Sequence, residues 1–94
     1  MEIIWRSTAI DDIEHVQRYI AQRNPAAGAR AFGAIRTEAR RLATAPHLGR
    51  PGRMDGTREL VIADTPYLVA YAVIDERLAI LAVLHGAQEW PDIS

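Results

Sequence analysis

Two runs in the second half of the chain, Tyr67–Ile74 and Leu78–Leu84, contain no charged residue, and only Asp75, Glu76 and Arg77 separate them. Their β-branched and aromatic content predicts strands at about Tyr67–Ile74 and Arg77–His85, with Asp75-Glu76 as the hairpin turn. An antiparallel sheet with one wet face alternates apolar and polar residues. These runs do not alternate. Whichever register the hairpin takes, both faces of its centre are apolar, and a stable fold must cover each of them.

The preceding sequence provides one cover. Glu2 to Arg6 reads as a first strand. Thr8, three residues before Asp11, resembles a capping box, with Asp11 and Asp12 expected in the first helical turn. Ile10, Ile13, Val16 and Ile20 then share one helical stripe, with Glu14, His15 and Arg18 outside it. Asn24-Pro25 ends this helix and caps the next, which runs to about Ala45 with Gly28, Phe32, Ile35, Ala39 and Leu42 along one stripe. Pro46 stops it. His47 to Thr57, with three glycines and a proline, reads as an irregular loop, and Arg58–Ala63 as a strand turned into the hairpin by Asp64-Thr65-Pro66.

The expectation is a single α+β domain over residues 1–94, ordered β-α-α-β-β-β, with a helical hairpin on one face of a small, mainly antiparallel sheet. On that reading the other face stays uncovered and forms an interface. Its candidate residues are Leu68, Ala70, Ala72, Ile80, Ala82 and Leu84. The competing arrangement has the C-terminal tail folded back over the hairpin.

Composition limits the chemistry. The chain has no cysteine, which removes disulfide and thiolate chemistry and suits a reducing cytoplasm. No apolar run approaches bilayer length, and Met1-Glu2-Ile3-Ile4-Trp5 lacks a basic leader, so neither a membrane span nor a signal peptide is expected. All eleven basic residues are arginine. Seven lie from Arg30 to Arg58 against only Glu38 and Asp55, a net of +5 (7 − 2) in a chain of net charge −1. Such a segment attracts an acidic partner or nucleic acid, or forms the solvated side of a helix. His15, His47 and His85 show no metal-ligand spacing, and no metal or cofactor is expected. His85, ending a strand before Gly86, is placed for general acid–base work or for a structural bond to the turn. Arg50, Arg53 and Arg58 are candidate phosphate or carboxylate contacts beside glycines. The only serines, Ser7 and Ser94, give no nucleophile triad.

Gly49-Arg50-Pro51-Gly52-Arg53, Gly56-Thr57-Arg58-Glu59-Leu60, Pro66-Tyr67-Leu68-Val69-Ala70-Tyr71-Ala72-Val73 and Val83-Leu84-His85-Gly86-Ala87-Gln88-Glu89-Trp90-Pro91, in this order, resemble the second half of a RelE/ParE-type toxin. The resemblance extends over essentially the whole chain. It implies a bacterial type II toxin–antitoxin module whose toxin is neutralised by a co-expressed antitoxin. RelE-like members cut mRNA on the ribosome with sheet arginines and a basic or aromatic residue near the C-terminus. ParE-like members lack that set and inhibit DNA gyrase.

Here Leu68 and Ala82 stand where the resemblance to ribonuclease members implies phosphate-binding sheet arginines, Gln88 follows the His-Gly turn where arginine is frequent, and no tyrosine follows the last strand. The resemblance therefore leans to ParE. Its target contacts would be drawn from Arg50, Arg53, Arg58, His85, Gln88 and Trp90, and an antitoxin would meet the apolar face together with Arg30, Arg40 and Arg41. The alternatives are a ribosome-dependent mRNA endoribonuclease using Arg58 and His85, and an antitoxin-binding relic without toxicity. The assembly would be a homodimer or a toxin–antitoxin hetero-oligomer.

Overall fold

The computed structural model describes residues 1–88. They form β1 (Glu2–Trp5), α1 (Ser7–Ala21), α2 (Pro25–Arg41), β2 (Arg50–Pro51), β3 (Arg58–Val61), β4 (Tyr67–Ile74) and β5 (Arg77–His85). The strands make one five-stranded sheet in the order β1-β5-β4-β3-β2, antiparallel except where β1 runs parallel to β5. This is the expected α+β architecture, with two differences at the edges. The loop before β3 contributes the two-residue strand β2, and β3 is shorter than the sequence suggests. The charge-free runs form the β4–β5 hairpin, closed by Asp75 and Glu76, both at positive φ (51° and 63°). That is the twist a two-residue hairpin turn demands.

Register sorts the residues between the two faces. Leu60–Val69–Val83 and Ile3–Leu78–Val73 lie across the sheet on the helix side, and Tyr71 and Ile80 share that side. With Ala9, Ile13, Val16, Ile35, Ala39 and Leu42 from the helices, all of these but the exposed Val73 form or pack against the main core. Burial of side chains such as Ile35 and Leu78, both at 0% exposure, contributes about 1.5–3 kcal/mol each. A bulge shifts the pairing so that Ala70 opposes Ala82 while Tyr71 opposes Ile80. Leu81 is the extra residue, and the shift lets both Ile80 and Val83 face the helices.

At this bulge β5 leaves β1, and α1 takes over its exposed edge. Thr8 Oγ1 donates to the Leu81 carbonyl at 3.1 Å, and Asp12 Oδ2 accepts from the Val83 N–H at 3.0 Å. The expected capping box is therefore not formed: α1 starts at Ser7, behind Arg6, without a side-chain cap, and no acid lies in its first turn. Thr8 and Asp12 instead satisfy backbone groups that a neighbouring strand would otherwise pair. Ile10, expected in the buried stripe, is 43% exposed, and Ala9 lies in the core in its place. Asn24 caps α2 as expected, accepting from the Ala27 N–H at 3.1 Å.

The helices cross closely at Gly28. A Cβ there would lie 2.8 Å from the Gln17 carbonyl oxygen and 2.9 Å from the Ala21 Cβ, whereas one at Gly33 would meet nothing within 4 Å. The two helical glycines should therefore respond oppositely to alanine. Gly28→Ala is expected to destabilise by about 1–3 kcal/mol through overpacking, and Gly33→Ala to stabilise by about 0.5–1 kcal/mol through propensity. Urea unfolding of both variants measures the contrast.

Candidate functional site

The face of the sheet away from the helices is not left open as the sequence suggests. Leu68, Ala70, Ala82 and Leu84 are buried at 2%, 0%, 1% and 2% exposure and form their own apolar cluster. Part of their cover comes from the loop expected to be irregular. Glu59, on the same face as Ala70 and itself 3% exposed, fastens that loop. Its Oε1 accepts from Arg50 Nη2 at 3.0 Å, and its Oε2 accepts from the Arg53 N–H at 3.1 Å. Arg53 Nε lies 3.4 Å from the same oxygen. The Arg53 guanidinium also donates to the Gln88 carbonyl at 2.7 Å and the Gly86 carbonyl at 3.3 Å. Arg53 thus spans the sheet from β3, across β4, to the end of β5. Gly52 N–H to Thr57 O at 2.8 Å and Gly56 at φ 79° hold the loop's return.

This geometry reassigns most of the residues singled out from the sequence. Ile80, 0% exposed, belongs to the helix-side core, and Ala72 is 8% exposed. With the four cluster residues they are covered in the free chain, so their place as an open interface is corrected. Among the described residues, the large apolar side chains exposed away from the helices are Ile4, Val61 and Ile74. Arg50 and Arg53 hold Glu59, and Arg58 Nη1 donates to the Gly49 carbonyl at 2.8 Å. Gly49 is pressed against Tyr71, whose hydroxyl accepts from the Gly49 N–H at 2.9 Å and donates to the Pro46 carbonyl at 2.8 Å. Arg30, Arg40 and Arg41 are exposed on α2, Arg41 paired with Glu38. Trp90 lies outside the described residues.

Arg58 and His85, the two groups of the ribonuclease alternative, are not brought together. Arg58 opposes Tyr71 at one place on β4 and His85 opposes Tyr67 four residues away. At about 3.3 Å per residue and 4.8 Å per strand, their backbones stand roughly 16 Å apart with β4 between them. No cluster of three or more metal-ligating side chains occurs among the described residues.

His85 instead joins residues that sequence reasoning had set aside. A cleft of about 290 Å³ between α1 and the ends of β4 and β5 is lined by Asp12, His15, Val16, Tyr19, Tyr67, Val83, His85 and Gln88. The Tyr67 and His85 rings meet edge-to-face at 5.8 Å. His85 Nδ1 accepts from the Ala87 N–H, and Gln88 Oε1 from the His85 N–H, each at 3.2 Å. Burial pushes the Asp12 carboxyl above its ordinary range, against the opposing bond from Val83; Asp11 raises it further and His15 lowers it. His15 had the look of a solvated helix residue, and Asp12 of a helix-start acid. The available signal was spacing, since Asp12, His15 and Tyr19 recur every three or four residues and so share one side of α1.

Residues 3–90 match the family described as the ParE toxin of the parDE type II toxin–antitoxin system. The chain belongs to this family. It is 41% identical to the candidate toxin Y4kP of Sinorhizobium fredii, over 97% of this chain and 94% of that protein. It is 32% identical to toxin RelE2 of Caulobacter vibrioides, over 93% and 97%. Its fold is similar to that in the chromosomal ParDE system of P. aeruginosa, with a TM-score of 0.81 at 22% identity, covering 90% of this chain and 95% of the other. The RelBE2 toxin–antitoxin complex of Mycobacterium tuberculosis gives 0.62 at 23% identity, covering 89% and 95%. The protein is a type II toxin of the ParE/RelE superfamily.

Two outcomes test the electrostatics of this ParE-family chain. Glu59→Ala leaves the part-exposed Arg50 and Arg53 without their shared carboxylate and should cost about 1–3 kcal/mol in urea unfolding, mainly through the lost hydrogen bonds. Asp12 should give a measurable pH dependence. Because its folded pKa is raised, the stability it contributes is present below the ordinary carboxylate range and lost as pH rises through the folded value. Asp12→Asn, which keeps an acceptor for Val83, should therefore gain on the wild type as pH rises across that window. Parallel thermal melts follow the gain.

Proposed function

We propose that this toxin inhibits DNA gyrase by binding it, acts in the cytoplasm, and is neutralised by a cognate antitoxin. The observation that carries this reading is the engagement of Arg50, Arg53 and Arg58 within the fold. Phosphoryl chemistry on RNA builds negative charge on the phosphate oxygens, and a ribonuclease must hold cations aimed at that charge. Here Arg50 and Arg53 serve a buried carboxylate, and Arg58, at the start of β3, donates to a backbone carbonyl. Leu68 and Ala82, where ribonuclease relatives would place functional groups, are buried and apolar.

The antitoxin's place is argued from what stays exposed. A groove of about 420 Å³ between the helices and the β3–β4 turn is lined by Ile20, Ala27, Ala31, Ala34 and Tyr67, among others, with Arg30 at its border. An amphipathic helix carrying an acid opposite Arg30 fits that chemistry. Ile4, Val61 and Ile74 offer further apolar contact on the sheet's far side.

The second reading is a ribosome-dependent mRNA endoribonuclease, favoured by His15 and His85 lining one cleft. The two readings separate in vitro. Purified toxin should abolish supercoiling of relaxed plasmid by gyrase and leave mRNA intact in a translating extract. Intact gyrase activity with cleaved mRNA would reverse the assignment. Arg58→Ala, which removes a cation of the ribonuclease alternative, should retain growth arrest on induction without antitoxin, with stability checked separately.

A further inference from the structure

The cleft beside α1 has a charge pattern opposite to that of the chain's basic middle. Asp12 contributes the one carboxylate among its described lining residues, and no arginine lines it. Residues 89–94, Glu-Trp-Pro-Asp-Ile-Ser, contain no arginine or lysine either. Asp12 spends Oδ2 on the Val83 N–H, and Oδ1 has no hydrogen-bond partner among the described residues. Around it stand the rings of Tyr67 and His85, in edge-to-face contact, and Tyr19, 61% exposed at the mouth. Because His85 Nδ1 accepts from the Ala87 N–H, the neutral ring carries its proton on Nε2. Gln88 uses its Oε1 on the His85 N–H, so its amide nitrogen remains as a donor.

A phosphate entering this cleft would approach a partly desolvated carboxylate and be repelled. A cation would offset the desolvation that already weighs on Asp12. Among cations, a guanidinium suits the lining best. Its planar fork matches the carboxylate, and its face stacks on aromatic rings. An ammonium uses the charge but little of the aromatic wall.

We propose that this cleft is a receptor for an arginine side chain of a partner protein, its guanidinium seated between Asp12 and the rings of Tyr67 and Tyr19. The proposal rests on the reading that the toxin works by binding proteins, and its first test does not involve gyrase. Nα-acetyl-arginine amide is titrated into the labelled full chain, with Nα-acetyl-lysine amide and inorganic phosphate in parallel, while the Val83 amide and the His15 and His85 ring signals are followed by NMR. The arginine probe should shift these signals saturably, more tightly than the lysine probe. Asp12→Asn should weaken it about tenfold, and Tyr19→Ala, a change at an exposed position, about threefold. Saturation by phosphate in place of arginine, or equal affinity in Asp12→Asn, overturns the proposal.

The source of the arginine is then read with Asp12→Asn in two assays. A fivefold or greater loss of antitoxin affinity assigns it to the antitoxin, and a comparable loss of gyrase inhibition assigns it to the target. Both unchanged overturns a role in partner binding even where the probe binds. A failure of gyrase inhibition by the wild type leaves the probe titration and the antitoxin assay standing.

Discussion

The β4–β5 hairpin imposes the constraint that the rest of the structure answers. Its centre is apolar on both sides, so leaving either side in water forfeits roughly 25 cal/mol for each Å² exposed. The helical hairpin covers one side by ordinary packing, with Gly28 letting α1 and α2 approach. Covering the other is harder, because no second layer of secondary structure exists among the described residues. On that side Glu59 ties the loop before β3 to the sheet and makes it an ordered part of the fold. A buried carboxylate would be costly alone. Two arginines and a backbone N–H satisfy it here, and Arg53 continues to the carbonyls of Gly86 and Gln88. One polar cluster therefore ties β2, β3 and the end of β5 together above an apolar patch.

This arrangement shows what the sequence could reveal and what it could not. The bounds of β4 and β5, the Asp75-Glu76 turn, the Asn24 cap and the core stripes through Ile13, Val16, Ile35 and Leu42 were legible because each depends on neighbours within a few residues. The fate of the far face was not legible. It depends on Glu59 standing opposite Ala70 and on Arg53 reaching residues more than thirty positions away, and no local pattern encodes either. Thr8 and Asp12 misled for a related reason. Their types and spacing suit a helix cap, yet the competing partner was a strand edge opened by a bulge at Leu81, which becomes visible only with the register.

The same distinction applies to charge. A net of +5 between Arg30 and Arg58 suggests a basic patch, but net charge of a segment counts groups without asking what they face. Arg50, Arg53 and Arg58 are turned to internal acceptors, Arg36 lies over the Phe32 ring at 5.7 Å, and Arg41 pairs with Glu38. Arginine is suited to this work because its planar fork can hold several acceptors at once and its face can rest on a ring. A lysine at position 53 could not span a carboxylate and two carbonyls in one geometry. The all-arginine usage therefore has a structural consequence here whatever its origin.

On the proposed reading, the electrostatics of the candidate site serve recognition of protein and not chemistry on nucleic acid. Catalysis at phosphate requires a surplus of positive charge at the point where the reaction develops negative charge. In this chain Arg50, Arg53 and Arg58 are engaged by acceptors of the fold, and the cleft around His85 presents a carboxylate. Its two histidines stand with Asp12, and no arginine is among the described residues that line the cleft with them. The proposed arginine receptor uses these features: a half-buried acid whose Oδ1 has no hydrogen-bond partner among the described residues, flanked by aromatic rings, is suited to tell a guanidinium from other side chains. On that reading, the strand end of this chain that invites a catalytic interpretation belongs to a binding pocket.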